Sequence, residues 1–143
     1  MSIPIVVGYP PLWDELKAAF NIGKLDVVFA WGDRIYNPNN TKLHPSIVCH
    51  EGVHCERQGG GDPEKFAAWW RRYIDDPLFR LEEEIPAHRA EYHACVNGDR
   101  NQRSRALHFV AGKLASPLYG SLITQREAMQ AIRNKHYRIK EAA

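Results

Sequence analysis

Proline and glycine divide this chain more sharply than any other residues. Pro45, Pro63 and Pro77 each stand at the head of a stretch with helical apolar spacing, and Gly59-Gly60-Gly61 closes the first of these stretches. A proline at the first helical position sacrifices nothing, because the N–H it lacks has no intrahelical partner there. Glycine takes the left-handed geometry of a helix stop cheaply. Helices are therefore expected from Pro45 to about Gln58, from Pro63 through Phe66, Trp69, Trp70 and Tyr73, and from Leu78 to about Val96. Pro86 falls inside the last of them and predicts a kink, or a break with a new helix opening at Pro86. Residues 100–115 and 124–138 read as two further helices separated by Ser116-Pro117-Leu118-Tyr119-Gly120.

The residues before Pro45 follow a different rhythm. Ile3 to Tyr9 is apolar and β-branched, closed by Pro10-Pro11, and reads as a short buried strand. Leu12, Trp13, Leu16, Ala19 and Phe20 fall at helical spacing, giving an amphipathic helix over 12–20 that stops near Gly23. Leu25 to Trp31 is strand-like again, Gly32-Asp33 supplies turn chemistry, and Arg34 to Tyr36 returns as a hairpin. The expected class is α+β: one domain over 1–143, with a small antiparallel sheet first and helices after it.

Composition bounds the partners. With 143 residues, 44% hydrophobic and 4 Trp, the chain can bury a core of its own. No apolar run approaches the roughly 18 residues that span a bilayer, and no basic segment precedes an apolar one at the N-terminus. A chain neither exported nor membrane-inserted is expected. Three cysteines, Cys49, Cys55 and Cys95, are odd in number and sit in helical segments, which favours a reducing compartment, the cytoplasm, over a disulfide framework. Residues 1–96 hold 10 Lys+Arg against 14 Asp+Glu, whereas residues 97–143 hold 9 against 3. Such a basic segment can dock on nucleic acid, on an acidic partner or on the acidic front of its own chain, and nucleic acid is the less favoured of these.

Within the first proline-headed helix stands His50-Glu51-Gly52-Val53-His54. Four residues of helix rotate by about 400°, so the two imidazoles lie about 40° apart and one turn apart in height, able to reach one zinc ion. Glu51 lies about 100° round from His50, placed to act on a water rather than on the metal. Peptide hydrolysis needs these parts together: a metal that acidifies water and a carboxylate that takes the proton and passes it to the leaving amine. A catalytic zinc normally has three protein ligands. Cys55-Glu56-Arg57-Gln58-Gly59-Gly60 offers no His-x-x-Gly-x-x-His continuation, so the third lies further on, among Leu81 to His93. Glu84, Glu91 and His88 are the candidates there.

The His-Glu-x-x-His pattern, followed some thirty residues later by Glu84-Ile85-Pro86-Ala87-His88, resembles the gluzincin-type zinc metallopeptidases, in particular their minimal forms and the short metallopeptidases of phage and prophage genomes. The resemblance covers residues 25–95. It implies a zincin-like core of active-site helix and ligand helix, with Glu84 as third zinc ligand, Glu51 as general base and His88 as the polar group that orients the ligands. Glu82 and Glu83 would then form a solvated acidic face, with Pro86 aiming Glu84 inward. It further implies that Trp31 to Tyr36 holds a substrate backbone by strand addition.

A donor for the developing oxyanion is also needed. Tyr92, His93, Arg89 and Tyr73 are within the relevant segments, and Tyr92 is preferred; the tyrosines could equally pack, and Arg89 could pair with neighbouring glutamates. Trp69, Trp70 and Tyr73 beside Arg71 and Arg72 suit a packed helix better than a base-stacking platform. Cys49 and Cys55 are expected as small core residues.

The function expected from these residues is a zinc metallopeptidase acting on a peptide or protein. So short a chain leaves little room for a long cleft, which predicts narrow specificity or a regulatory protein partner. The alternative is a zinc-stabilised binding module without turnover that contacts protein or nucleic acid through Arg100, Arg103 and Arg105.

Overall fold

The computed structural model describes residues 2–95 and 98–139. Short β-branched and aromatic runs give three strands: β1 (Ile5–Val6), β2 (Phe29–Trp31) and β3 (Arg34–Tyr36). Helix α1 (Trp13–Phe20) lies between β1 and β2. After the hairpin come α2 (Pro45–Arg57), α3 (Pro63–Asp75), α4 (Pro77–Cys95), α5 (Arg100–Leu114), a 3-10 turn (Pro117–Tyr119) and α6 (Gln125–Arg133). The class is α+β, as the sequence predicts. Val96, the expected end of the fourth helix, lies outside the described residues.

The sheet is mixed rather than antiparallel. Its order is β1-β3-β2, with β2 antiparallel to β3 (Ala30 opposite Ile35) and β1 parallel to it (Ile5 opposite Ile35). The parallel pair follows from the chain between them, since α1 and β2 carry the backbone across before β3 begins. β3 is thus central, and its Ile35 and Asn37 N–H groups donate to Pro4 and Val6 carbonyls at 2.9 and 2.8 Å. It has no free edge on which to add a substrate strand, which corrects the expectation placed on Trp31 to Tyr36.

β2 is the edge beside α2. Because Ile35 turns its N–H toward β1, its partner Ala30 points its carbonyl outward, and that oxygen accepts from Trp70 Nε1 (2.9 Å) and Gln58 Nε2 (3.1 Å). Trp70 stacks on Trp31 and, with Trp69, Tyr73, Phe29, Leu16 and Phe79, fills the core under α3. Arg71 and Arg72 face water. A second core joins α4 to α5 and α6 through Ile85, Leu107, Val110, Leu114 and Ile132.

The turn between β2 and β3 depends on Gly32. Its φ of +61° is left-handed, its N–H donates to Gln58 Oε1 at 2.5 Å, and a Cβ there would overlap the ring of buried Phe66. Gly32→Ala is expected to destabilise the fold by at least about 2 kcal/mol, combining backbone strain with overpacking, seen as a fall in Tm at unchanged far-ultraviolet circular dichroism.

The helix boundaries follow local chemistry. His44 caps α2 by accepting from the Ser46 N–H, Asp62 caps α3, and capping boxes Asp99/Gln102 and Thr124/Glu127 start α5 and α6. Helix α6 ends five residues earlier than residue 138. Arg89 donates to the Ala131 and Asn134 carbonyls at 2.5 and 3.3 Å, satisfying the groups a longer helix would have used. Helix α4 runs on through Pro86 without a break. Buried Arg80 donates to the carbonyls of Tyr73, Ile74 and Tyr119 at 2.8–2.9 Å, fastening the 3-10 turn to the end of α3. Among the described residues no helix is long and apolar enough to cross a membrane.

Candidate metal centre

Helices α2 and α4 pack face to face, and their contact carries the His-Glu-x-x-His residues. His50 and His54 lie one turn apart on the face of α2 that meets α4, both buried. Their Nε2 atoms stand 3.3 and 3.2 Å from one oxygen, Oε1 of Glu84, which is itself only 3% exposed. Ligand atoms of all three residues lie within 4.8 Å of one another. Three of the proposed ligands are thus brought together by the fold.

The surrounding hydrogen bonds decide what this cluster demands. His50 Nδ1–H donates to Glu91 Oε1 at 2.9 Å, and Glu91 Oε2 accepts from Lys113 of α5. The Tyr73 hydroxyl donates to Glu84 Oε2. With its Nδ1 proton given to Glu91, a neutral His50 turns a lone pair at the Glu84 oxygen. Lone pairs this close require a cation between them: a proton on the imidazole or a metal ion. Burial by itself disfavours a charged His50, yet its bonds to Glu84 and Glu91 outweigh this and push its pKa up to about 10. Burial likewise opposes an ionised Glu84, but His54 and His50 hold its carboxyl well below the usual range. The pocket therefore asks for positive charge at the point where the three donors converge, and this buried His/Glu cluster can hold a metal ion. A nitrogen and oxygen donor set suits several divalent first-row metals.

Glu51 stands apart from the trio. Its Oε1 is 4.0 Å from His50 Nε2, too far round the helix to share the ligand point, and it is 8% exposed. Burial raises its pKa against the pull of His50 and His54, making its carboxylate a stronger base. Trp69 packs edge-on against the His54 ring at 5.4 Å, which fixes the second imidazole from behind.

His88 is fully buried; its Nδ1–H donates to the Glu84 carbonyl one turn earlier at 2.8 Å, and Nδ1 lies 3.4 Å from the Glu84 Oε1 that the other two histidines face. Burial drives its pKa down to about 3, so it is neutral; its ring edge meets His50 at 4.6 Å. Glu91 orients His50, a carboxylate behind a histidine that fixes which ring nitrogen faces the Glu84 oxygen. His50, His88 and Glu91 form a second group within 4.8 Å, but Lys113 and His50 already occupy Glu91. Of the three consecutive glutamates only Glu82 is solvated, because Glu83 is buried against Arg57 of α2.

Tyr92 is not brought to the site. It is half-buried against the core of α4, α5 and α6 and leans on His93, while Arg89 is spent on the end of α6. Tyr73 and Tyr119 line the cavity in its place. Tyr119 reaches it from the 3-10 turn, its ring 5.2 Å from His88. Cys55 donates its thiol to the Arg34 carbonyl, and burial pushes its pKa up to about 12; Cys49 is exposed rather than part of the core.

The spacing of Glu84, His88 and Glu91 at i, i+4 and i+7 marks one face of α4 and was the available signal for Glu91. Lys113 and Tyr119 come from distant segments and carry no such signal. Arg100, Arg103 and Arg105 are exposed on α5, whereas Lys113 of the same helix turns in to the acidic front of the chain. A cavity of about 390 Å³ opens on the cluster, lined by residues of α1, α2, α3 and α4, the 22–29 and 41–44 segments, Lys113 of α5 and the 3-10 turn. Comparison with protein-family models, with curated proteins and with solved structures gave no match to this chain.

Proposed function

We propose that this protein is a zinc-dependent metallopeptidase of gluzincin type, in which His50, His54 and Glu84 hold the metal and Glu51 is the general base. The observation that carries this reading is the convergence of two imidazole Nε2 atoms on one Glu84 oxygen with the Glu51 carboxylate beside them, in the lining of a cavity. Bound there, zinc would polarise a carbonyl and bring the pKa of water to about 7.

The remaining work falls to the chain. Glu51 takes the proton of the attacking water and delivers it to the leaving amine, so that no covalent intermediate forms. Glu91, held by Lys113, keeps His50 in the tautomer with Nε2 toward the metal. The Tyr73 hydroxyl is committed to Glu84, so Tyr119 takes the role of donor to the oxyanion from its place in the cavity wall. The substrate is a peptide or protein, and three cysteines without a disulfide framework fit work in the reducing cytoplasm.

The test is metal content and hydrolysis of a mixed peptide library by the purified chain. About one zinc per chain is expected, with cleavage lost on dialysis against a chelator and regained on adding zinc. Tight zinc with no cleavage of any peptide would overturn the peptidase reading in favour of a metal-stabilised binding module.

A further inference from the structure

Helix α5 carries charge of one sign only. Arg100, Arg103, Arg105 and Lys113 stand on it, with no Asp or Glu among its residues. Lys113 turns inward to Glu91. The three arginines lie exposed in the first two turns and form no ion pair with any described residue, whereas Arg34, Arg57 and Arg72 earlier in the chain each face a carboxylate, of Asp33, Glu83 and Asp76.

Stability does not account for this placement. The amino end of a helix already carries partial positive charge, so cations there oppose the dipole, and in α5 only the capping carboxylate of Asp99 offsets it. Unpaired arginines at that end cost the fold rather than support it, which points to a partner outside the chain.

An aromatic ring completes the surface. Phe109 is 67% exposed, more than any other large apolar side chain among the described residues. It stands one helical turn after Arg105 and one before Lys113, on a single stripe. Lys113 Nζ lies 5.2 Å from the ring centroid and is itself tied to Glu91, so the ring is propped from one side and open to solvent on the other.

The combination selects among anionic partners. Guanidinium forks match phosphate oxygens, and an open aromatic face stacks on an unpaired base. A duplex offers phosphates but keeps its bases stacked on one another, leaving the ring unused, and an acidic peptide answers the arginines alone. A bilayer surface asks for a broad apolar stripe, and α5 has spent its own, Leu107, Val110 and Leu114, on the core.

We propose that the exposed surface of α5 docks single-stranded nucleic acid, with Arg100, Arg103 and Arg105 on phosphates and a base stacked on Phe109. The docking needs neither the metal nor peptide hydrolysis, so it stands or falls apart from them.

The test is fluorescence anisotropy of labelled oligothymidylate and oligouridylate, each of about 16 nucleotides, titrated with the full chain, beside a labelled DNA duplex of the same length. Affinity for the single strands should fall with salt at a log–log slope of about −2, the value for about three phosphates on a single strand. Changing Arg100, Arg103 and Arg105 together to Gln should remove most of that slope and weaken binding about tenfold or more, while Tm stays level or rises as the charges that oppose the dipole are removed. Phe109→Leu keeps an apolar side chain without the ring and should weaken single-strand binding about fivefold or more at unchanged slope, with Phe109→Trp restoring it. Absence of binding to both single strands, or native binding by the triple variant, overturns the proposal. So does a duplex bound as tightly as the single strands, or a Phe109→Leu variant that binds like the native chain. Displacement of the oligonucleotides by polyglutamate or by phosphatidylserine vesicles at lower concentration than by unlabelled oligothymidylate would give the surface to an acidic protein or a membrane, and overturn it likewise.

Discussion

Glu51→Gln should retain zinc and melt near the native temperature while peptide hydrolysis falls by about 10²–10⁴-fold, the span that general acid–base catalysis supplies. The substitution preserves shape, and Glu51 makes neither of the two contacts that assemble the ligand point. What it removes is basicity. A carboxylate whose pKa is raised by burial can accept a proton from water and return it to an amine, whereas a carboxamide can do neither. Metal analysis, a thermal melt and a peptide assay on the same preparation separate these effects. Native turnover in a zinc-loaded Glu51→Gln protein would remove Glu51 from the chemistry.

Glu84→Ala should abolish stoichiometric metal, a loss well beyond the 10–100-fold or so that follows removal of an orienting partner. Glu84 is the one carboxylate that both Nε2 atoms face, and Tyr73 also gives it a hydrogen bond, so its removal leaves two imidazoles and a buried phenol without their common acceptor. Glu91→Gln is the matched comparison: it keeps the trio and disturbs only the group behind His50, so metal should bind about 10–100-fold more weakly but still bind. Competition with a chromophoric chelator measures both. Were Glu84→Ala to hold zinc with native affinity, the ion would belong to the His50, His88 and Glu91 group instead.

The two histidines and Glu51 were legible because their geometry is local. A helix that starts at Pro45 and stops before Gly59 fixes their angular separation whatever the rest of the chain does. Glu84 was reachable only through the resemblance, since nothing in the spacing of α4 states which of Glu82, Glu83 and Glu84 meets α2. Packing decides it, sending Glu83 to Arg57 and Glu84 to the histidines. The preference for Tyr92 failed for the same reason in reverse: proximity in sequence to Glu91 says little when the cavity wall is completed by a turn nearly thirty residues on. Strand direction was likewise set by tertiary arrangement, because the run from Ile3 to Tyr9 reads as β in either sense. Only Ile5–Val6 of that run pairs, and it pairs parallel.

The sheet is also protected from growth at both of its edges. Beyond β2, the outward carbonyl of Ala30 is already taken by two side-chain donors, Trp70 and Gln58, so a strand of another molecule finds its first acceptor occupied. Beyond β1 the exposed Ile5, Val7 and Tyr9 would make a sticky ribbon, but Pro4 precedes the pair and Pro10-Pro11 follows it, and proline cannot donate to a ladder. The pairing length left to a recruiting strand is a few residues, too short to seed fibrillar stacking.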